Sequence, residues 1–228
     1  MKLCWQQIPS TVISDILCQN RLDGVVLDTE HGTFNSETLY ACIQVIGLNN
    51  KKSFVRLTEV NKTMIRMCLD AGCTGIIFST IENLNQALKV VEFCKYPRQG
   101  GARGLGLVRQ NSWGMRPLVS DPPILIAQIE TVAGVDNIEK IWSKNCFDYC
   151  MIGPYDLSAS LGMPGNFETP EFLSAVNKVK ETVGKESMAV HIPDNVKSQL
   201  KKYKEFGIIA LGMDTTFIIE KYREVESA

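Results

Sequence analysis

The regular alternation of short apolar runs with amphipathic segments is the feature that most constrains how this chain folds. Eight runs have the length and apolar character of strands, and a segment with helical spacing follows each of them. The predicted strands are residues 3–8, 24–29, 53–58, 75–80, 124–130, 148–153, 188–192 and 208–214. The predicted helices are residues 10–20, 36–48, 62–71, 82–95, 135–143, 170–183, 195–206 and 217–225, with an excursion at 96–123 and a loop at 154–166.

Eight successive strand–helix units favour a closed parallel barrel over an open doubly wound sheet. An open sheet would leave two edge strands, and none of the eight runs is charge-rich or broken by proline, as edge strands often are. No linker or low-complexity tract divides the chain. We therefore predict an α/β fold, a single (β/α)8 TIM barrel domain over residues 1–228.

Composition and charge exclude several classes of partner. The 228 residues are 45% hydrophobic and 21% charged, with a net charge of −1, which gives no attraction to nucleic acid or to a membrane surface. No signal-peptide pattern or apolar run of roughly 18 residues is present, so we expect a cytoplasmic location. The eight cysteines form no CxxC pair or Cys/His cluster, which favours reduced packing residues over disulfides or a zinc site.

Polar residues cluster where the predicted strands end, and a parallel barrel builds its active site from those ends. They are Asp28, Glu30 and His31 at the end of the second strand, Arg56 in the third, Gln128 and Glu130 in the fifth, and Gly153 and Asp156 after the sixth. Because the carboxyl ends of all the strands meet at one mouth, we expect these residues to lie close together.

Glu130 and Asp156 are candidate metal ligands. Both supply hard oxygen atoms from neighbouring strands, and two such ligands leave coordination positions for water and substrate. The alternative is that Glu130 begins the next helix and that Asp156 caps the turn before Leu157.

His31 and Arg56 are candidate catalytic residues. Asp28 precedes His31 by three residues and could support it as an acid/base group, although a histidine after a strand is often an ordinary loop residue. A charge inside a buried strand is costly unless it is paired or serves a ligand, so Arg56 binds substrate or forms a structural ion pair.

Three further observations bear on the site. His191 ends the seventh strand without a comparable motif, so we expect a packing or rim role. The glycine-rich segment 100–106 follows a helix, which excludes a nucleotide-binding loop; we expect it at the rim, with Arg103 as an anion contact. Predicted strands two to eight contain no lysine, which disfavours Schiff-base chemistry.

These motifs resemble the HpcH/HpaI family of metal-dependent class II pyruvate aldolases, which includes 4-hydroxy-2-oxoheptanedioate aldolase and 2-keto-3-deoxy sugar acid aldolases. The similar segments span most of the chain: LDTEHG at 27–32, FVR at 54–56, YPRQGGARGLG at 96–106, QIET at 128–131 and IGPYDLSASLG at 152–162. The sequence departs from the family pattern at residues 57–59, where many members have a proline, and in the short excursion before Ile124. Both departures fall near the side of the site that would bind the aldehyde. The identity of the aldehyde therefore stays open.

The resemblance implies specific roles for these residues. Glu130 and Asp156 would ligate Mg²⁺ or Mn²⁺, or else Co²⁺ or Zn²⁺, with no organic cofactor. Arg56 would contact the pyruvate keto oxygen, and Asp28 with His31 would form the acid/base dyad. Gln128, Gly153 and Asp156 would place the keto acid, with Glu30 one layer behind the ligands.

The resemblance also implies a barrel of the phosphoenolpyruvate/pyruvate type and a homohexamer, a dimer of trimers with exchanged C-terminal helices. The predicted activity is reversible cleavage of a 4-hydroxy-2-keto acid, including the 2-keto-3-deoxy sugar acids, into pyruvate and an aldehyde. The alternatives are an acyl-CoA lyase of the citramalyl-CoA or malyl-CoA lyase type and a non-catalytic binding homologue.

Overall fold

Eight short strands, most of them buried on both faces, pair side by side until the last meets the first. A computed structural model describes residues 1–117 and 121–227. The strands are β1 (Lys2–Gln6), β2 (Gly24–Asp28), β3 (Lys52–Leu57), β4 (Gly75–Phe78), β5 (Ile124–Ile129), β6 (Tyr149–Ile152), β7 (Met188–Ile192) and β8 (Ile208–Leu211). All neighbours are parallel, and β8 pairs with β1, so the predicted (β/α)8 barrel is confirmed.

Helices connect the strands around the outside of the barrel. They are α1 (Thr11–Cys18), α2 (Ser36–Leu48), α3 (Lys62–Asp70), α4 (Leu84–Cys94), α5 (Val132–Asp136), α6 (Ile138–Trp142), α7 (Pro154–Ser160), α8 (Pro170–Val183), α9 (Val196–Gln199) and α10 (Asp214–Glu226). Asn35, Asn61 and Asn83 cap α2, α3 and α4 by accepting hydrogen bonds from first-turn amides. These caps fix where each helix begins.

Three of the predicted connections were wrong. The predicted loop 154–166 contains α7, in which Pro154 stands at the first helical position, where its missing N–H costs nothing. The predicted helix 135–143 is two short helices, and the predicted helix 195–206 gives way to a 3₁₀ turn after Gln199. Strand β8 ends before Gly212, whose φ of +67° turns the chain into α10.

The interior of the barrel has two layers of different character. The lower layer is apolar and consists of Leu3, Val26, Phe54, Ile77, Ile126, Met151, Ala189 and Ile208. Side chains alternate between the faces of a strand, so the residue two positions later points inward nearer the carboxyl end. Those residues are Trp5, Asp28, Arg56, Ser79, Gln128, Gly153, His191 and Ala210. The change from apolar to polar residues marks the candidate site.

The glycine-rich segment 100–106 does not lie at the rim of this site, and the prediction for Arg103 was wrong. The Arg103 guanidinium is buried, pairs with Asp70 at 2.6 Å, and lies over the Tyr96 ring. Asp70 ends α3, and helices that follow barrel strands end at the opposite face from the strand carboxyl ends. Arg103 therefore stabilises the closed base of the barrel.

The cysteines agree with the prediction of reduced packing residues. All eight are free, and all eight are buried. Among the described residues, no helix combines the length and apolar character that a membrane span needs. The cytoplasmic location stays a prediction.

Candidate active site

Asp28 and Arg56 form the central ion pair at the mouth of the barrel. The parallel register of β2 and β3 places the two residues directly beside each other. Arg56 Nε donates to Asp28 Oδ1 at 2.9 Å and Arg56 Nη2 donates to Asp28 Oδ2 at 2.7 Å, a bidentate contact. Asp28 is fully buried, and Arg56 is 9% exposed. Arg56 therefore forms the ion pair, and its role in binding substrate stays a prediction.

The Asp28 carboxylate is surrounded by donors. Trp5 Nε1 and Gln7 Nε2 each donate to Oδ2 at 3.1 Å, while the backbone amides of Glu30 and His31 donate to Oδ1. Burial alone would raise the pKa of Asp28, but the hydrogen bonds and charge of Arg56, with the donors Trp5 and Gln7, lower it to about 2. Asp28 is therefore ionised at neutral pH.

Glu30 is the second partner of Arg56. Its Oε2 lies 2.7 Å from Arg56 Nη1 and accepts a hydrogen bond from Ser79 Oγ at 3.0 Å. Burial raises the pKa of Glu30, the nearby charge of Glu130 raises it further, and Arg56 opposes both. The two carboxylates hold the guanidinium of Arg56 in one orientation.

Glu130 is a buried carboxylate with neutral donors. Its side chain accepts hydrogen bonds from Thr80 Oγ1 at 2.6 Å and from Gln128 Nε2. A Cβ at Gly153 would lie 2.4 Å from Glu130 Oε2, so only glycine lets β6 approach this closely. Thr131, and not Glu130, caps α5. The interpretation of Glu130 as a helix-start residue was therefore wrong.

His31 lies exposed at the mouth, after β2. Asp28 accepts a hydrogen bond from its backbone amide at 3.3 Å, and within the described residues no hydrogen bond joins this carboxylate to the imidazole. The closed turn needs Gly32, because a Cβ there would lie 2.2 Å from the Asp28 carbonyl oxygen. Asp28 thus positions His31 through its backbone, and the catalytic role of His31 stays a prediction.

Asp156 lies exposed in the first turn of α7, which begins after Gly153. Gly153 caps the helix beside Glu130, so this helix brings Asp156 to the same end of the barrel. The role of Asp156 as a ligand stays a prediction.

His191 packs beside the Asp28–Arg56 pair, which agrees with the packing role predicted for it. Its ring stacks on Trp5 with centroids 4.1 Å apart, and its Nε2 lies 3.1 Å from the Gly212 carbonyl oxygen. The Arg56 guanidinium carbon lies 5.0 Å from the centroid of the same indole. Burial lowers the pKa of His191 to about 4, and the charge of Arg56 contributes to the decrease, so the ring is neutral at pH 7.

The charge balance of the site fits a divalent cation. Asp28, Glu30 and Glu130 supply three carboxylates against the single guanidinium of Arg56, and among the described residues Glu130 has no ion pair. An uncompensated buried charge is costly. Gln128 Oε1 is also buried, without a partner within the described part of the chain. Glu130 and Asp156 carry carboxylate oxygens, the type of donor atom that Mg²⁺ and Mn²⁺ prefer.

Sequence reasoning missed Trp5, Gln7, Ser79 and Thr80. Strand alternation could have found three of them. Trp5 and Gln7 lie two and four positions after the inward-facing Leu3 of β1, and Ser79 lies two positions after the inward-facing Ile77 of β4. Thr80 gave no such signal, because its φ of +54° breaks the strand alternation.

Comparisons with known proteins agree with the architecture and with the family that the motifs resemble. The family model described as HpcH/HpaI aldolase/citrate lyase matches residues 3–220. A "4-hydroxy-2-oxovalerate aldolase" from Rhodococcus jostii is 28% identical over 95% of this chain and 86% of its own length. A "4-hydroxy-2-oxo-heptane-1,7-dioate aldolase" from Salmonella typhimurium is 28% identical over 94% of this chain and 84% of its own.

A solved structure gives the same result for the fold. The crystal structure of an HpcH/HpaI aldolase/citrate lyase family protein from Burkholderia cenocepacia superimposes with a TM-score of 0.90 at 23% identity, covering 100% of this chain and 93% of the other. Both curated relatives carry aldolase names, which agrees with the predicted class and not with the acyl-CoA lyase alternative. The chain belongs to the HpcH/HpaI aldolase/citrate lyase family, a family of enzymes.

Proposed function

We propose that this protein is a metal-dependent class II aldolase that reversibly cleaves a 4-hydroxy-2-keto acid into pyruvate and an aldehyde. The observation that carries the proposal is the buried Glu130 carboxylate, which has two neutral donors and, among the described residues, no ion pair. The names of the two curated relatives, both aldolases of 4-hydroxy-2-oxo acids, support the same class of substrate.

Glu130 and Asp156 would hold the cation, Mg²⁺ or Mn²⁺. When bound, a divalent cation supplies Lewis-acid polarisation of the substrate's 2-keto group. Gln128 orients Glu130 through its amide N–H, and its unpartnered Oε1 is free to accept a hydrogen bond from water or from a substrate hydroxyl. The backbone at Gly153 packs closely against Glu130, and a side chain at this position would displace the carboxylate.

The chain's own residues supply the proton transfers and the charge stabilisation. His31 removes the proton of the C4 hydroxyl, the C3–C4 bond breaks, and its electron pair passes to the keto oxygen as the enolate of pyruvate. Arg56, already fixed by Asp28 and Glu30, donates to that oxygen without having to reorganise. The proton that His31 removed then passes to C3, directly or through water, which completes pyruvate and restores His31 as the base.

The test is pyruvate formation from a panel of 4-hydroxy-2-keto acids, with Mg²⁺ or Mn²⁺ and with a chelator. We expect activity that the chelator abolishes and added metal restores. His31→Ala should lower turnover by about 10²- to 10⁴-fold, the usual contribution of a general acid–base, with little change in thermal stability. Full activity after complete metal removal would overturn the proposal.

The homohexamer with exchanged C-terminal helices is also part of the proposal. Helix α10 exposes apolar side chains that a partner subunit would cover: Phe217, Ile218, Ile219, Tyr222 and Val225. Analytical ultracentrifugation should give the mass of a hexamer for the wild type and a smaller species for Ile219→Glu. A monomeric wild type would refute the assembly.

A further inference from the structure

Thr80 has a backbone conformation that its residue type disfavours. Its φ is +54°, in the left-handed region, where a β-branched residue is a genuine outlier. Glycine would adopt this conformation without strain. Such outliers persist where the surroundings fix them, and they concentrate at functional sites.

Hydrogen bonds on both sides of Thr80 fix this conformation. The Ser79 amide donates to the Leu57 carbonyl of β3 at 3.0 Å, and the Ile81 amide donates to the Gln128 carbonyl of β5 at 3.1 Å. The Thr80 carbonyl itself accepts from Gln86 Nε2 at 3.1 Å. The backbone amides of the chain thus change their hydrogen-bond partner from β3 at Ser79 to β5 at Ile81. Thr80 is the residue between them at which the chain turns.

The turn directs two adjacent hydroxyls to two different carboxylates. Ser79 Oγ donates to Glu30 and Thr80 Oγ1 donates to Glu130 Oε1 at 2.6 Å. Among the described residues, Thr80 provides the one hydroxyl that donates to Glu130. The Gln128 amide donates to the other carboxylate oxygen, Oε2. With one donor on each oxygen, the Glu130 carboxylate is fixed in one plane.

We infer that Thr80 is a positioning residue that orients Glu130 for the divalent cation. Glycine would relieve the strain but would provide no hydroxyl for Glu130. This inference rests on the proposed function of Glu130 as a metal ligand. Loss of a residue that hydrogen-bonds to a metal ligand typically lowers metal affinity 10- to 100-fold.

The test is Mn²⁺ affinity, measured by the electron paramagnetic resonance signal of free Mn²⁺. Thr80→Val keeps the shape and removes the donor, so we expect its Kd to rise by about 10-fold or more. Thr80→Ser restores the donor and should stay close to the wild type. Thr182→Val makes the same chemical change on α8 and should not alter the affinity. Glu130→Gln should abolish the binding.

Thermal unfolding provides a second measurement. Thr80→Ala keeps a Cβ at positive φ and Thr80→Gly does not, so the glycine variant should unfold at a temperature higher by about 2–4 °C. Both variants should bind Mn²⁺ weakly.

Two results would overturn the inference in distinguishable ways. If Thr80→Val binds Mn²⁺ as the wild type does while Glu130→Gln does not bind, Thr80 has no positioning role and the proposed function stands. If Glu130→Gln binds as tightly as the wild type, Glu130 is not a ligand and both fail.

Discussion

Replacing Asp28 with asparagine should destabilise the folded protein by at least about 2 kcal/mol at pH 7. The pKa of Asp28 falls from 3.8 to about 2 on folding, and each pKa unit corresponds to about 1.4 kcal/mol. Among the described residues, both oxygens face only donors, from Arg56, Trp5, Gln7 and two backbone amides, so an amide NH₂ finds no acceptor there in either orientation. Repulsion between donors adds to the cost.

The effect should depend on pH in a defined direction. A group whose pKa is lowered by folding stabilises the protein above its unfolded pKa, and this contribution is lost as pH falls through the folded value. The contribution of the Asp28 charge should therefore shrink from about 2 kcal/mol at pH 7 to about 1 kcal/mol at pH 3.

Urea unfolding followed by circular dichroism, at matched protein concentration, measures both values. Asp136→Asn is a suitable control, because Asp136 is 68% exposed and lies 3.6 Å from Lys178; a change within about 0.5 kcal/mol is expected. A destabilisation by Asp28→Asn that is equal at pH 7 and pH 3 would refute the ion-pair account.

Three other substitutions test separate parts of the structure. Gly153→Ala should push β6 away from Glu130 and lower Mn²⁺ affinity, measured by titration; unchanged affinity would contradict the close packing. In the wild type, the free energy of unfolding should fall as the pH decreases from 6.5 to 4, because the folded state resists protonation of His191 and the unfolded state does not. His191→Phe should remove this part of the loss. An unchanged pH profile of urea unfolding would contradict this. Arg103→Met should leave Asp70 without its partner; because the Asp70 side chain is 30% exposed and water can replace part of the pair, the destabilisation should be about 1–2 kcal/mol. The kcat should not change because the pair lies at the base of the barrel; a lower kcat in the folded fraction would place Arg103 at the site.

The barrel and most of the site residues were predictable because they depend on local patterns. Apolar runs specify strands, and parallel strands bring their carboxyl ends to one mouth. This is why Asp28, Arg56, Gln128 and Glu130 could be placed together before any coordinates.

Hydrogen-bond partners were not predictable in the same way. Sequence spacing suggested that Asp28 supports the His31 imidazole, but the register of β2 and β3 gives Arg56 the better geometry for a carboxylate. The strained turn at Thr80 depends on hydrogen bonds to two strands that are distant in sequence. The direction of the excursion, which places Arg103 at the base, also depends on tertiary packing.

Exchange of the pyruvate methyl protons with deuterium, followed by proton NMR, tests the central claim most directly because it requires no aldehyde. The account predicts that the wild type with Mg²⁺ catalyses this exchange through the enolate, and that a chelator or Glu130→Gln abolishes it. Exchange that continues unchanged in the Glu130→Gln variant or without metal would contradict the account.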